Sequence, residues 1–445
     1  MTKLLIRNAQ IVTMNALEDI IQGDIRIEDD RIVEIGPELE PAGDEQILDA
    51  TGRTVIPGFV QTHIHLCQTL FRGKGDDLEL LDWLRKRIWP LEAAHDEESI
   101  YYSAMLGIGE LIQSGTTTIV DMETVHHTES AFRAIEQSGI RAVSGKVMMD
   151  RKGSDVPLPL QEETASSIQQ SVDLLEKWHG HDNGRIQYAF SPRFVISCTE
   201  DLLKEVAHLS GKYNVKVHTH ASENTGEIEL VEAMTGMRNI VYLDHIGLAN
   251  ERLILAHCIW LSDEEKRIIR ERGVHVSHCP GSNLKLASGI ADVPEMLDTS
   301  ISVSLGADGA PCNNNLDMFN EMRLAAIIQK PAHGPTCMDA RSVFRMATIG
   351  GAKAVGMADE IGSIETGKKA DLAILNLNQF HTFPSFDVDP ISRIVYSATR
   401  ADVETTIVGG RILMDKGIVR TVDKDTVLRE ADLSIKRLLK RSPLQ

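Results

Sequence analysis

Pro57-Gly58-Phe59-Val60-Gln61-Thr62-His63-Ile64-His65 is the stretch on which the fold turns. The run Val60 to His65 has the length and apolar content of a short strand, and the Pro-Gly pair ahead of it is a turn signal. Residues two apart on a strand point to the same side, so His63 and His65 at its end reach toward one point. Alone an HxH is a weak signal, because paired histidines also occur in ordinary cores and on surfaces. Its place at a strand end gives it weight.

Working outward, strand-like runs recur at Thr116 to Asp121, Ala142 to Met149, Ile186 to Ser191, Val215 to His220, Leu253 to His257, Val274 to His278 and Ile301 to Gly306, with helical stretches between. Together with the first run these are eight strand–helix units, which predict an α/β fold, a (β/α)8 TIM barrel. Asp263-Glu264-Glu265 suits the first turn of one intervening helix, where acidic groups favour the helix dipole. A doubly wound sheet is the alternative, but no Gly-rich phosphate loop follows the first strand. Polar residues gather at strand C-terminal ends, the catalytic face of a TIM barrel.

The chain ends have a different texture. Lys3 to Met14, Asp24 to Glu28 and Arg31 to Ile35 read as a small β-meander. Ala370 to Leu375 and Thr405 to Val408, the latter leading through Gly409-Gly410 into Arg411 to Met414, repeat the pattern with a hairpin signal. Residues 1–57 and 361–445 are therefore expected to form one composite β-sandwich domain beside a catalytic barrel at 58–360. A chain of 445 residues exceeds what one core usually serves, in keeping with that division.

With 42% apolar and 25% charged residues the composition is that of a soluble globular protein. No segment approaches the roughly 20 uninterrupted apolar residues of a membrane span, and the N-terminus lacks a signal-peptide cleavage pattern, so a cytoplasmic enzyme is expected. A net charge of −19 makes nucleic acid and anionic membranes poor partners. Cys67, Cys198, Cys258, Cys279, Cys312 and Cys337 form no CxxC pair and are expected as free, mostly buried thiols.

Chemistry concentrates at four more strand ends. His218-Thr219-His220-Ala221-Ser222-Glu223 supplies a third imidazole and, three residues on, a carboxylate suited to holding a water and shuttling its proton. Ala256-His257-Cys258 ends the sixth run, His278 the seventh, and Asp308 follows the eighth between Gly306 and Gly309, glycines expected to let the backbone turn tightly. By itself a D-G pair is an ordinary turn; the joint pattern of His at strands one, five and six with Asp at eight is not ordinary.

That pattern resembles the amidohydrolase superfamily, and the likeness runs along nearly the whole chain, including Gly362-Ser363-Ile364-Glu365-Thr366-Gly367-Lys368-Lys369-Ala370-Asp371-Leu372. The text PGFVQTHIHLCQTLFRG, LLDWLRKRIWPLE, HASEN, SNLKLASGIADVPEM and GADGAPCNNNLDMFNEMRLA is similar to the methylthioadenosine, S-adenosylhomocysteine and 5′-deoxyadenosine deaminases within it. The resemblance implies that His63, His65, His220 and Asp308 ligate one divalent metal ion, zinc with iron as the alternative. It makes Glu223 the proton shuttle and has His257 orient the attacking oxygen and stabilise the tetrahedral intermediate. His218 is expected as a packed, hydrogen-bonded core histidine, and His278 behind the site, polarising Asp308 or His257.

The resemblance also implies a substrate-facing set. The glutamate matching Glu92 grips ribose hydroxyls in the similar nucleoside deaminases, and the tryptophan matching Trp83 lines the pocket; an amphipathic scaffold helix over Leu81 to Glu92 is the plain alternative. Two departures stand out. Ser191-Pro192-Arg193-Phe194 replaces the usual Gly-Pro-His and, with Gln68, is similar to guanine deaminases; Trp260 stands where some relatives have histidine. The leading expectation is deamination of an adenosine-type nucleoside. Deamination of a free oxo-purine or pterin and s-triazine hydrolysis are the alternatives, and a non-enzymatic scaffold is disfavoured by the complete ligand set. By analogy with relatives the chain is expected to be a dimer or tetramer.

Overall fold

Eight parallel strands follow one another in chain order around a ring in the computed structural model, which describes residues 3–153 and 156–444. They are Phe59–His65, Thr116–Met122, Arg141–Gly145, Ile186–Pro192, Lys216–Ala221, Leu253–His257, His275–His278 and Ser302–Leu305. The ring closes at the functional end: Asp308–Gly309, just beyond the eighth strand, pairs in parallel with Ile64 and His65 of the first. The TIM barrel read from periodicity is thus the fold. The intervening helices carry the expected signals; Asp263–Arg272 starts with a Ser262 capping box, acidic groups in its first turn and Gly273 in the left-handed region after its end.

One strand is shorter than expected. The run Ala142 to Met149 breaks after Gly145, and Val147–Met148 pairs separately with Ser191 and Pro192. A Cβ at Gly145 would lie 1.8 Å from the Ala189 carbonyl, so backbones meet there more closely than a side chain permits. Lys146, at the break, is buried against the Glu162 carboxylate at 2.5 Å.

The barrel's N-terminal end is plugged by Val60, Val120, Val143, Ala189 and Ile254 against Ala352, Met357 and Ile361. The opposite end is left for polar groups. Both chain ends build a single nine-stranded sheet, joined where Leu372–Leu375 runs antiparallel to Thr54–Pro57. Its inward side chains, among them Leu4, Ile6, Ile11, Ile25, Ile27, Leu372 and Ile407, form their own cluster. Gly409 and Gly410, at φ +51° and +72°, make the hairpin turn that their sequence announced. The last helix, Lys424–Arg441, leaves the sheet and packs on the barrel helix Glu97–Gln113, with Arg437 and Arg441 paired to Glu98 and Asp96. All six cysteines are free thiols. No helix among the described residues is long and apolar enough to cross a membrane.

Candidate active site

His63 and His65 from the first strand, His220 from the fifth, His257 from the sixth and Asp308 after the eighth converge at the C-terminal end of the barrel. None of them, nor Glu223, is more than 5% exposed. Ligand-type atoms of His63, His65 and Asp308 lie within 4.8 Å of one another, as do those of His63, His220 and His257.

The hydrogen bonds determine which nitrogens are free. His65 Nδ1 donates to the Met122 carbonyl at 2.7 Å and His220 Nδ1 to the Arg193 carbonyl at 2.7 Å, so both rings turn unprotonated Nε2 atoms inward, 3.3 Å apart. Two lone pairs facing at that distance repel unless a cation lies between them. Asp308 Oδ1 is 3.2 Å from His63 Nε2 and 3.3 Å from His65 Nε2, yet His63 Nε2 and His257 Nε2 lack hydrogen-bond partners among the described residues. Neutral imidazoles oriented from behind, a carboxylate and unpartnered nitrogens are what a divalent metal ion requires, and the donor set fits one.

Electrostatics agree. Burial pushes His63 down to about 4 and, with the neighbouring imidazoles, holds His220 well below the ordinary histidine value, so both are neutral donors. Burial opposes the charge on Asp308, but His63, His65 and His257 hold its carboxyl well below the usual range. Glu223 is raised to about 7, by burial first, with His257 opposing and Asp308 adding to the rise. Burial likewise opposes the charge on His257, and Glu223 and Asp308 outweigh it, keeping its pKa above the ordinary value. Glu223 Oε2 sits 3.5 Å from His257 Nε2, a pairing suited to proton transfer.

The backbone is strained where this chemistry sits. Ser222, His257 and Asp308 have φ of +53°, +73° and +61°, each costing on the order of 1–3 kcal/mol. The left-handed turn expected of the flanking glycines falls on Asp308 itself. Gly306 and Gly309 serve close approach instead: a Cβ would lie 2.7 Å from the His63 carbonyl oxygen at the first and 2.2 Å from Gln68 Oε1 at the second.

One segment that sequence reading quoted but gave no role supports three of these groups. After the seventh strand, Ser282 Oγ donates to Asp308 Oδ2 at 2.7 Å, Asn283 Oδ1 accepts from His257 Nδ1 at 2.8 Å, and Ser288 Oγ donates to Glu223 Oε1 at 3.3 Å. Glu321 anchors the segment by accepting the Gly281 N–H at 2.9 Å. The adjacent Ser-Asn after a strand-ending histidine was the only local signal. Asp121, also unforeseen, accepts the Leu66 N–H at 2.9 Å and so holds the backbone next to His65.

Gln68, Trp83 and Arg193 line the cavity beside the metal-type ligands, with Phe194 and Leu286. Glu92 lies behind them: Arg193 grips both its oxygens and Gln68 Nε2 donates to Oε1 at 2.9 Å. His278 is 2% exposed, off the cavity wall, and neither ring nitrogen has a partner among the described residues. Burial and the His257 charge push it down to about 3. His218 is fully buried, its Nε2 2.9 Å from His63 Nδ1, and by accepting that proton it leaves His63 Nε2 free. Trp260 is 45% exposed, its indole N–H on the Ser288 carbonyl at 2.7 Å.

This geometry has close counterparts. A 5′-deoxyadenosine deaminase of Methanothermobacter thermautotrophicus is 41% identical over 420 residues, 94% of this chain and 95% of the relative. A 5-methylthioadenosine/S-adenosylhomocysteine deaminase of Desulforudis audaxviator is 38% identical over 441 residues, 98% and 99% of the two chains. The crystal structure of an adenosine deaminase from Xanthomonas campestris with bound zinc superposes with a TM-score of 0.91 at 31% identity, covering 99% of each chain. The model of the amidohydrolase family matches residues 54–413, from the strand that leads into the barrel to the return strand of the terminal sheet. With its barrel, its convergent imidazoles and aspartate, and these likenesses, the chain belongs to the amidohydrolase family.

Proposed function

We propose that the protein is a metal-dependent hydrolytic deaminase that replaces the 6-amino group of adenosine-type nucleosides, namely 5′-deoxyadenosine, 5′-methylthioadenosine and S-adenosylhomocysteine, with oxygen, giving the inosine-type product and ammonia. The observation that carries this reading is Glu223 set 3.5 Å from His257 beside the convergent His63, His65, His220 and Asp308. The names of the relatives support the substrate class.

A divalent ion, zinc with iron as the alternative, would be held by His63, His65, His220 and Asp308 and supplies the Lewis acidity that makes water a nucleophile near neutral pH. Glu223 accepts one proton of the attacking water and passes it to the ring nitrogen, then takes the second from the hydroxyl on the tetrahedral carbon and passes it to the amino group, which leaves as ammonia as the carbonyl forms; a carboxyl with a pKa near 7 can do both. Its Oε1 is steadied by Ser288, leaving Oε2 toward the reacting atoms. His257, oriented through Asn283, donates to the oxygen that becomes negative at the tetrahedral carbon. Buried walls, Trp83 and Phe194 among them, exclude bulk water from the base. We place the enzyme in purine salvage in the cytoplasm, as a homodimer or homotetramer, by analogy with relatives.

A second reading is favoured by one observation: Arg193 and Gln68 face the cavity and occupy Glu92, which suits recognition of a free oxo-purine. Ammonia release from metal-loaded protein given 5′-deoxyadenosine, 5′-methylthioadenosine, S-adenosylhomocysteine, adenosine or guanine decides between them. Preference for the 5′-modified adenosines is expected. Activity on guanine alone would overturn the nucleoside assignment.

A further inference from the structure

A second polar cavity, of about 350 Å³, lies at the other end of the barrel. Lys216, Arg252, His179, Gln187, Asn214 and Glu251 contribute to its walls. Lys216 opens the strand that ends in His220 and Ala221, so the rise per strand residue places the cavity about 13 Å below the histidines.

Donors outnumber acceptors in it. The Glu251 carboxylate pairs with Arg252 Nη1 at 3.0 Å and is 70% exposed, while Lys216 Nζ bonds only the Glu251 backbone carbonyl, at 3.0 Å. No carboxylate among the described residues forms an ion pair with Lys216, and two of its three ammonium protons remain unspent. His179 accepts the Tyr188 N–H on Nδ1 at 3.3 Å, which puts its own proton on Nε2. The Gln187 amide nitrogen meets only the Met357 sulfur, at 3.8 Å, a weak acceptor. Burial lowers the Lys216 amine to about 8, with Glu251 opposing the fall and Arg252 adding to it.

We propose that this cavity binds a phosphate-class oxyanion, free or carried as a phosphomonoester, with Lys216 as the ammonium that no carboxylate pairs and Arg252, His179 and Gln187 as further donors. A compact ammonium among directed N–H groups is a common way to hold such an anion, and charge-assisted bonds are the strong ones. Nothing in this depends on the deamination reading.

Isothermal titration of the intact, metal-loaded protein with inorganic phosphate, and separately with glycerol 3-phosphate, tests it. Saturable binding is expected, weakened about tenfold or more in Lys216→Met and largely retained in Lys216→Arg. Tighter binding of the ester would assign the ester as occupant, and equal binding the free ion. Gln187→Leu removes a neutral donor of the same cavity and carries the test if Lys216→Met fails to fold, with a loss of roughly threefold to tenfold. Absence of saturable binding up to tens of millimolar, or binding that these substitutions leave untouched, overturns the site.

Discussion

Two buried arginine–carboxylate pairs stand at opposite ends of the barrel, Arg141 forking through Nε and Nη2 and Arg193 through Nη1 and Nη2, to different effect. Arg141, at the start of the third strand, holds Asp371 at 2.7 and 2.9 Å, and Asp371 also accepts the Gly409 N–H at 2.7 Å. That pair ties the barrel to the terminal sheet, and neither residue leaves a buried polar atom unpartnered. Arg193, just past the fourth strand, holds Glu92 with help from Gln68, but Arg193 Nε and Gln68 Oε1 are buried without partners among the described residues and both side chains line the cavity beside the histidines. One pair is complete and structural. The other leaves two buried polar atoms unpaired beside the cavity, and each such atom calls for an explanation.

The contrast can be broken most forcefully at the catalytic end. Glu223→Gln is expected to retain metal by elemental analysis yet lose roughly a hundredfold to ten-thousandfold in kcat, whereas Asp308→Asn should lower metal content and turnover together; a fully active Glu223→Gln protein would mean the shuttle lies elsewhere. At the structural pair, Arg141→Met leaves Asp371 buried and alone, and urea denaturation should register a loss of about 3–5 kcal/mol. The folded fraction of that variant should keep its kcat, since the pair is remote from the histidines; unchanged stability would erase the distinction between the pairs. Ser282→Ala and Asn283→Ala should each cost about tenfold to a hundredfold in kcat/KM at little cost in stability, because they orient Asp308 and His257 from behind. The smallest effect is expected at the incomplete pair itself: Glu92→Gln loosens Arg193 and Gln68 at the cavity wall and should raise KM for a nucleoside about tenfold and KM for a free base less. Equal changes for both substrates would assign the pair to the base rather than the sugar.

Much of this was legible in the linear text because strand periodicity is local. Eight apolar runs, each ending in or near a histidine, aspartate or Pro-Arg, were enough to order the barrel and to bring His63, His65, His220, His257 and Asp308 to one end. The break after Gly145 was not legible, since its cause is the Ala189 carbonyl more than forty residues away. The reason for Gly306 and Gly309 was misread for the same cause: their closest neighbours are His63 and Gln68, on a different strand and its following turn.

By itself the sequence determined the strand order, the residue types at the strand ends and the two-ended origin of the terminal sheet, because these follow from spacing along the chain; the class of chemistry came from the family resemblance that its motifs carry. Only the tertiary structure decided which imidazole nitrogens are free, that Ser282, Asn283 and Ser288 brace the site, and that Glu92 stands behind Arg193 and Gln68. Each of those outcomes is a hydrogen bond between groups far apart in sequence, and the partner of a buried polar atom is set by what lies beside it in space.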